Sequence, residues 1–100
     1  MHVISKKTIE IFTQQHPIFK TSLDSWFKIV SKTNFVNPID LQNIFPSIDV
    51  VKDSKNNNLT VFDIHGNKVR LIASIHYNRN KLYIRHILTH AEYDKNNWKT

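Results

Sequence analysis

The sequence predicts an α+β fold on three observations: two amphipathic helical patterns in its first half, two hairpin patterns in its second, and a capping box that opens a short last helix. The halves are divided by Lys52-Asp53-Ser54-Lys55-Asn56-Asn57-Asn58, a polar low-complexity stretch that is a loop by composition. One hundred residues, 40% hydrophobic and 11% aromatic, suffice for one modest core but not two, so residues 1–100 are read as a single domain.

His2 to Ile4 is expected as a short strand leading into a helix from about Ser5 to Gln15, with Ile9 and Phe12 on one face and Pro17 beyond its end. A second helix follows at about Thr21 to Thr33. Its Leu23, Trp26, Phe27 and Val30 fall at i, i+3, i+4 and i+7, which assigns the aromatic pair to packing against a sheet rather than to a cofactor or a stacked base.

In the second half, turn chemistry and hydrophobic pattern test each other. A two-residue turn at Gly66-Asn67 pairs Ile64 with Val69, Phe62 with Leu71 and Thr60 with Ala73 on one face, leaving Asp63 opposite Arg70 on the other. For the next hairpin, a four-residue loop of Tyr77-Asn78-Arg79-Asn80 pairs Val69 with Leu88, Leu71 with His86, Ala73 with Ile84 and Ile75 with Leu82, a nearly apolar face. A three-residue loop scatters the charges over both faces and is rejected. The opposite face then collects Arg70, Ser74, His76, Lys81, Tyr83 and Arg85, interrupted by Ile72 and Ile87. Thr89-His90-Ala91-Glu92 is a capping box, so a last helix starts near His90 and places His90 and Tyr93 in its first turn. The expected architecture is an antiparallel sheet of three main strands, extended by residues 2 to 4 and 48 to 52, with the N-terminal helices covering one face.

A formal charge of +6 and a pI near 9.7 favour a polyanionic partner. The absence of cysteine excludes disulfides, thiolate metal sites and a Cys nucleophile. The six histidines form no metal-ligand spacing and no carboxylate cluster accompanies them, so no metal and no cofactor are expected. No apolar run approaches the roughly 20 residues that cross a bilayer. The start Met1-His2-Val3-Ile4-Ser5 lacks a charged stretch followed by an apolar one, so a soluble, unexported, membrane-free protein is expected.

The polar face carries the residue types that metal-free RNA cleavage requires: help for 2′-hydroxyl attack, a proton for the leaving oxygen, and positive charge facing the pentavalent phosphate. Arg70 and Arg85, on adjacent strands, are candidates to hold one phosphate together. His76 or His90 is a candidate proton carrier, and Tyr83 or Tyr93 a base-stacking or hydrogen-bonding group. Asp63 opposite Arg70 equally admits a plain surface ion pair. His86 falls on the apolar face and is read as a core histidine, and His2, His16 and His65 as scattered surface residues. His90 sits where the positive end of the helix dipole opposes a charged imidazolium, which suits a base.

Met1-His2-Val3-Ile4-Ser5, Ile44-Phe45-Pro46-Ser47, Gly66-Asn67-Lys68-Val69-Arg70-Leu71, Tyr83-Ile84-Arg85 and Thr89-His90-Ala91-Glu92-Tyr93-Asp94, in that order, resemble the HigB branch of the RelE-like toxins. The resemblance runs from Met1 to about Asp94. It implies a compact RelE-like fold and the toxin of a type II toxin–antitoxin system, a cytoplasmic mRNA interferase that cuts mRNA in the ribosomal A site. The implied partner is a HigA-like antitoxin with a helix-turn-helix domain, through which DNA is met only indirectly. Carried over residue by residue, Arg70 matches a phosphate-stabilising arginine of the central strand, Arg85 a second basic position, and His90 and Tyr93 the C-terminal pair that supplies acid–base and stacking function. Lys68, His76, Lys81 and Tyr83 complete the expected RNA-binding surface. Many RelE-like toxins crowd lysines around the scissile phosphate, whereas Lys68 and Lys81 are the only lysines in these hairpins, which leaves the general base open between His76, His90 and a distributed arrangement.

Two other readings use the same residues. In a non-catalytic RNA-binding module, Tyr83 and Tyr77 stack bases while the arginines hold backbone. In an interaction domain, Ile72, Ile87, Val61 and Leu59 form a docking patch on the polar face.

Overall fold

The computed structural model describes residues 1–99. Its elements run β1 (His2–Ile4), α1 (Lys6–Gln15), a 3-10 turn (Pro17–Phe19), α2 (Lys20–Lys32), α3 (Pro38–Ile44), β2 (Asp49–Lys52), β3 (Asn58–Ile64), β4 (Val69–His76), a 3-10 turn (Tyr77–Arg79), β5 (Lys81–Thr89), α4 (His90–Asp94) and a last 3-10 turn (Asn97–Lys99). The five strands form one sheet in the order β1-β5-β4-β3-β2. Only β1 runs parallel to its neighbour, β5; the other pairs are antiparallel.

The helices pack where their apolar stripes direct them. Leu23, Trp26 and Val30 of α2 are buried, Phe27 packs at the edge of the same core, and the Trp26 ring meets Phe62 of β3 edge-on at 5.3 Å. Ile9 and Phe12 anchor α1 in the same core, whose sheet side is Phe62, Ile64, Val69, Leu71, Ala73, Leu82, Ile84 and Ile87. Helix α3 was not expected from the sequence. The Asn37 side chain accepts from the Asp40 N–H at 2.9 Å, Pro38 occupies the first turn, and Leu41 is fully buried. With one buried residue in seven, the segment has too little periodicity to betray itself.

The β3–β4 register is the expected one, with Phe62 opposite Leu71 and Asp63 opposite Arg70. The turn differs in detail: the left-handed residues are His65 (φ 55) and Gly66 (φ 66). A left-handed histidine is uncommon. Here its ring is held, with Nδ1 2.9 Å from Ser22 Oγ and the ring edge-on to Phe19 at 5.2 Å, so the turn is tied to α2. His16 likewise stacks on Phe12 at 4.5 Å. These surface histidines therefore have packing roles that their scatter in the sequence did not suggest.

The β4–β5 hairpin has the expected four-residue loop, and Ala73 faces Ile84 and Ile75 faces Leu82 as expected. Beyond that point the strict register fails. A β-bulge between Ile72 and Ala73 on the β4 side sets Arg85 and His86 together against Ile72, so Leu71 faces Ile87 and Val69 faces Thr89. Burial supplies the reason. Unbroken alternation would put His86 in the core and Ile87 outside it; the extra residue buries Ile87 instead, worth about 1.5–3 kcal/mol, and spares an imidazole a dry environment. His86 is thus not a core residue.

The capping box is present in full: Thr89 Oγ1 accepts from the Glu92 N–H at 3.3 Å, and Glu92 Oε1 accepts from the Thr89 N–H at 2.9 Å. It turns the chain out of β5 and back across the polar face of the sheet.

Candidate active site

The C-terminal segment beyond the capping box builds the site. Trp98, in the last 3-10 turn, is 6% exposed and closes a second, smaller core with Leu59, Val61 and Ile72 on the sheet face opposite the helices. Leu59, Val61 and Ile72 are therefore covered by the chain's own C-terminal segment, and Ile87 lies in the helix-side core. The docking patch expected from the sequence does not exist as an exposed surface. Trp98 Nε1 donates to the Tyr93 carbonyl at 3.0 Å and its ring stacks on Tyr93 at 5.1 Å, which holds the tyrosine over the strands.

Tyr93 faces Arg70. The guanidinium carbon lies 5.4 Å from the Tyr93 ring centre, Nε lies 3.1 Å from Asp63 Oδ1, and Nη1 donates to the Asn67 carbonyl at 2.9 Å. The side chain is only 12% exposed, so the Asp63 contact is an orienting pair rather than a loose surface bridge. Two of the guanidinium nitrogens are engaged, which fixes the plane of the fork and leaves its Nη2 end without a hydrogen-bond partner among the described residues. Arg70, Tyr93, Asp63 and Asp49 line a cleft of about 370 Å³ with Val61 and the Pro46, Ser47 and Ile48 segment. Burial, and then the carboxylate of Asp49, push the Tyr93 hydroxyl above its ordinary value, against the opposing pull of Arg70. It stays a protonated donor at neutral pH.

The structure divides the sequence-derived site residues into groups. Lys68, Arg70, His90 and Tyr93 gather at one end of the sheet, where the His90 N–H donates to the Lys68 carbonyl at 3.0 Å. The His90 ring is exposed, with Nε2 3.1 Å from Asp94 Oδ2, so a carboxylate and not the helix dipole alone governs its surroundings. His76, Lys81 and Tyr83 gather at the other end, the His76 and Tyr83 rings meeting edge-on at 5.3 Å and Lys81 paired with His76 across the strands. His76 lies six residues from Arg70 along β4, roughly 20 Å at strand rise. It does not share the Arg70 cleft. Arg85 stands in the bulge, exposed, while Arg70 faces Leu88, so the two arginines are about 10 Å out of register and do not form the clamp expected of them.

Two residues around the site escape sequence reasoning, and a third, His86, is assigned by it to the core. Asp49 sits on an edge strand too short to show a pattern. Trp98 lies beyond the last helix. His86 is placed by the bulge beside a second cleft of about 360 Å³, which it lines with Leu88, Glu92, Lys95, Asn97 and Trp98. Burial first, and then the positive charge of Arg85, lower the His86 pKa. The folded protein then binds fewer protons at this site than the unfolded chain below the ordinary histidine value near 6.5. Its contribution to stability is present above that pH and lost as the pH falls through the lowered folded value. The drop in Tm on acidification should accordingly be smaller for His86→Gln than for the parent chain. Equal drops would mean that His86 titrates alike in both states.

Among the described residues, no three or more His, Asp or Glu side chains come together as a metal-holding group, and no helix is long and apolar enough to cross a membrane. Helices on one face, a five-stranded sheet and an Arg–Tyr cleft on the other, in a chain of net charge +6, define a RelE-like α+β domain. The family model for HigB_toxin, the RelE-like toxic component of a toxin–antitoxin system, matches residues 19–96. The mRNA interferase HigB of Escherichia coli O6:H1 is 35% identical over 95 residues, 95% of this chain and 90% of that protein. The mRNA interferase toxin HigB of Escherichia coli K12 and the mRNA interferase HigB of Shigella flexneri are each 34% identical over 94 residues, 94% of this chain and 88% of theirs. The chain belongs to the HigB toxin family.

Proposed function

We propose that this protein is the toxin of a type II toxin–antitoxin pair and acts in the cytoplasm as a metal-independent endoribonuclease. It cuts mRNA, on the ribosome, and is silenced by a HigA-like antitoxin through which it meets DNA only indirectly. The observation that carries the reading is the Arg70–Tyr93 cleft, in a chain whose relatives are named mRNA interferases.

The chemistry rests on the groups present. The 2′-oxygen of the substrate attacks the adjacent phosphorus, its proton passing to a base, and the bond to the 5′-oxygen of the next nucleotide breaks as that oxygen takes up a proton. The products are a 2′,3′-cyclic phosphate and a 5′-hydroxyl. Arg70, oriented by Asp63 and Asn67, presents its Nη2 end to the charge that builds on the phosphorane. The protonated Tyr93 hydroxyl donates to a phosphate or leaving oxygen. His90, three residues before Tyr93 on α4 and paired with Asp94, is assigned as the proton carrier at this end of the sheet; His76 is too distant for the role. Lys68 adds charge beside the cleft, while Arg85, Lys81, Tyr83 and His76 extend the RNA path along the strands. Because Asp49 and Asp63 outnumber Arg70 in the cleft, cations elsewhere on the chain must help hold the RNA, and a net charge of +6 also suits contacts with ribosomal RNA.

The test is to induce the wild-type chain and an Arg70→Ala, His90→Ala double variant in bacterial cells and map mRNA 5′ ends. Growth arrest with new in-frame cuts is expected for wild type alone. If both chains fold and neither cuts, the RNA-binding module replaces the enzyme reading, with the His76–Tyr83 ring pair as its stacking platform. Equal cutting by both would leave the activity standing and remove Arg70 and His90 from it. Purified toxin should cut the same messages with ribosomes added and leave them intact without.

A further inference from the structure

The second cleft, between β5 and the C-terminal turn, has no part in the chemistry just described. We propose that it is a second subsite on the RNA path, holding the nucleotide next to the scissile one, with His86 and Asn97 facing its base and Lys95 and Arg85 its phosphate. This inference rests on the ribonuclease reading for its register along the RNA but not for the binding itself.

Four observations carry it. The bulge sets two consecutive residues, Arg85 and His86, against Ile72 on this face, where regular alternation would deliver only one; bulges re-aim side chains in this way at the expense of a ladder bond. The lining has the make-up of a small-ligand site: apolar surface from Leu88 and Trp98, and polar groups from His86, Asn97, Glu92 and Lys95. Its volume of about 360 Å³ stands at the low end of the roughly 300–1,000 Å³ of such sites, which suits one nucleotide and not a duplex. The parts are also held in place, Trp98 by its bond to the Tyr93 carbonyl and Glu92 by the capping box.

Charge and position point to nucleic acid as the occupant. Lys95, neighbouring Arg85 and Lys99 over the Trp98 ring outweigh Glu92 and the Asp53 carboxylate near Arg85 here, whereas Asp49 and Asp63 outweigh Arg70 in the first cleft. A polyanion bound at the first cleft is therefore drawn towards the second. Tyr93 borders one cleft and Trp98 the other, and their rings stack at 5.1 Å, so the two sites are separated by a single aromatic ridge. Burial keeps the His86 ring neutral at working pH, with one donor and one acceptor nitrogen, as reading a base edge requires.

The probe is an RNA hexamer of mixed sequence carrying 2′-O-methyl groups, which cannot be cleaved, titrated into the full chain and followed by NMR. The His86 ring and the Trp98 indole N–H are expected to shift together with Tyr93, and His86→Ala or Lys95→Ala, each shown to be folded by its Tm, to weaken binding about three- to tenfold. In cells, His86→Ala should flatten the base preference at the position beside the cut, while Lys95→Ala lowers cutting at all sites alike. Shifts confined to Arg70 and Tyr93 with an unaltered base preference in His86→Ala, or no binding of the hexamer at all, would overturn the subsite. Cutting by wild type with a silent His86 sinks the subsite and spares the ribonuclease; a shifted His86 in a chain that never cuts spares the subsite and sinks the ribonuclease.

Discussion

Arg70→Ala is expected to lower the rate of mRNA cleavage by about 10²- to 10³-fold, the usual loss when one donor aimed at a developing oxyanion is removed. The size of the effect comes from preorganisation. Asp63 and the Asn67 carbonyl hold Nε and Nη1, the Tyr93 ring covers one face, and the fork cannot turn away from its target. Arg70→Lys keeps the charge but loses the planar fork and both orienting contacts, so it should recover only a small part of the rate. The loss should fall mainly on kcat, since phosphate charge in the ground state is met by cations along the whole RNA path. Stability should fall as well, because the Asp63 carboxylate left behind is only 24% exposed and loses its cation, so the rate is compared at a temperature where both chains are folded. Single-turnover cleavage of a ribosome-bound message measures the effect. A wild-type rate in a folded Arg70→Ala chain would show that the reacting phosphate lies elsewhere.

Trp98→Ala should act on stability and activity together. Removing a buried tryptophan costs about 3–5 kcal/mol in a closed core, and about the lower figure here because a terminal turn can relax. For a chain of this size that lowers Tm by more than about 10 °C. It also uncovers Leu59, Val61 and Ile72 and takes away the stacking partner and the carbonyl anchor of Tyr93, so cleavage should fall even well below the new Tm. Trp98→Phe keeps one aromatic ring but loses the Nε1 hydrogen bond, worth about 0.5–1.5 kcal/mol, and part of the buried ring area, and should retain more of the activity and stability than Trp98→Ala. Denaturant unfolding and cleavage assays on the two variants separate these cases. If Trp98→Ala unfolds at the parent temperature, the second core contributes nothing and the C-terminal turn does not hold the site.

Features that depend on neighbours close in the chain were legible in the sequence. The β3–β4 register is set by a turn and by alternation within twelve residues of it, and the capping box is a contact between residues three apart. The stripe of α2 is equally local. Because Arg70 and Tyr93 are carried by elements of this kind, the strand face of Arg70 and the helix turn of Tyr93 were also readable, though not their meeting. So was the resemblance to the HigB branch, which rests on short motifs in order.

The structure decided whatever depends on competition between distant groups. Strict alternation and the bulge in β5 are equally consistent with local propensity; the bulge wins because the core under α1 and α2 accepts Ile87 and rejects His86. The same choice moves Arg85 out of register with Arg70. Asp49 reaches the cleft only because β2 pairs with β3, and Trp98 only because the chain doubles back over Leu59, Val61 and Ile72. The sequence by itself determined α1, α2, α4, the β3–β4 register, the loop of the second hairpin and the chemical types on the polar face, since each is set within one or two turns of chain. Only the tertiary structure decided which of those groups meet, since burial of apolar surface is settled for the whole core at once and not strand by strand.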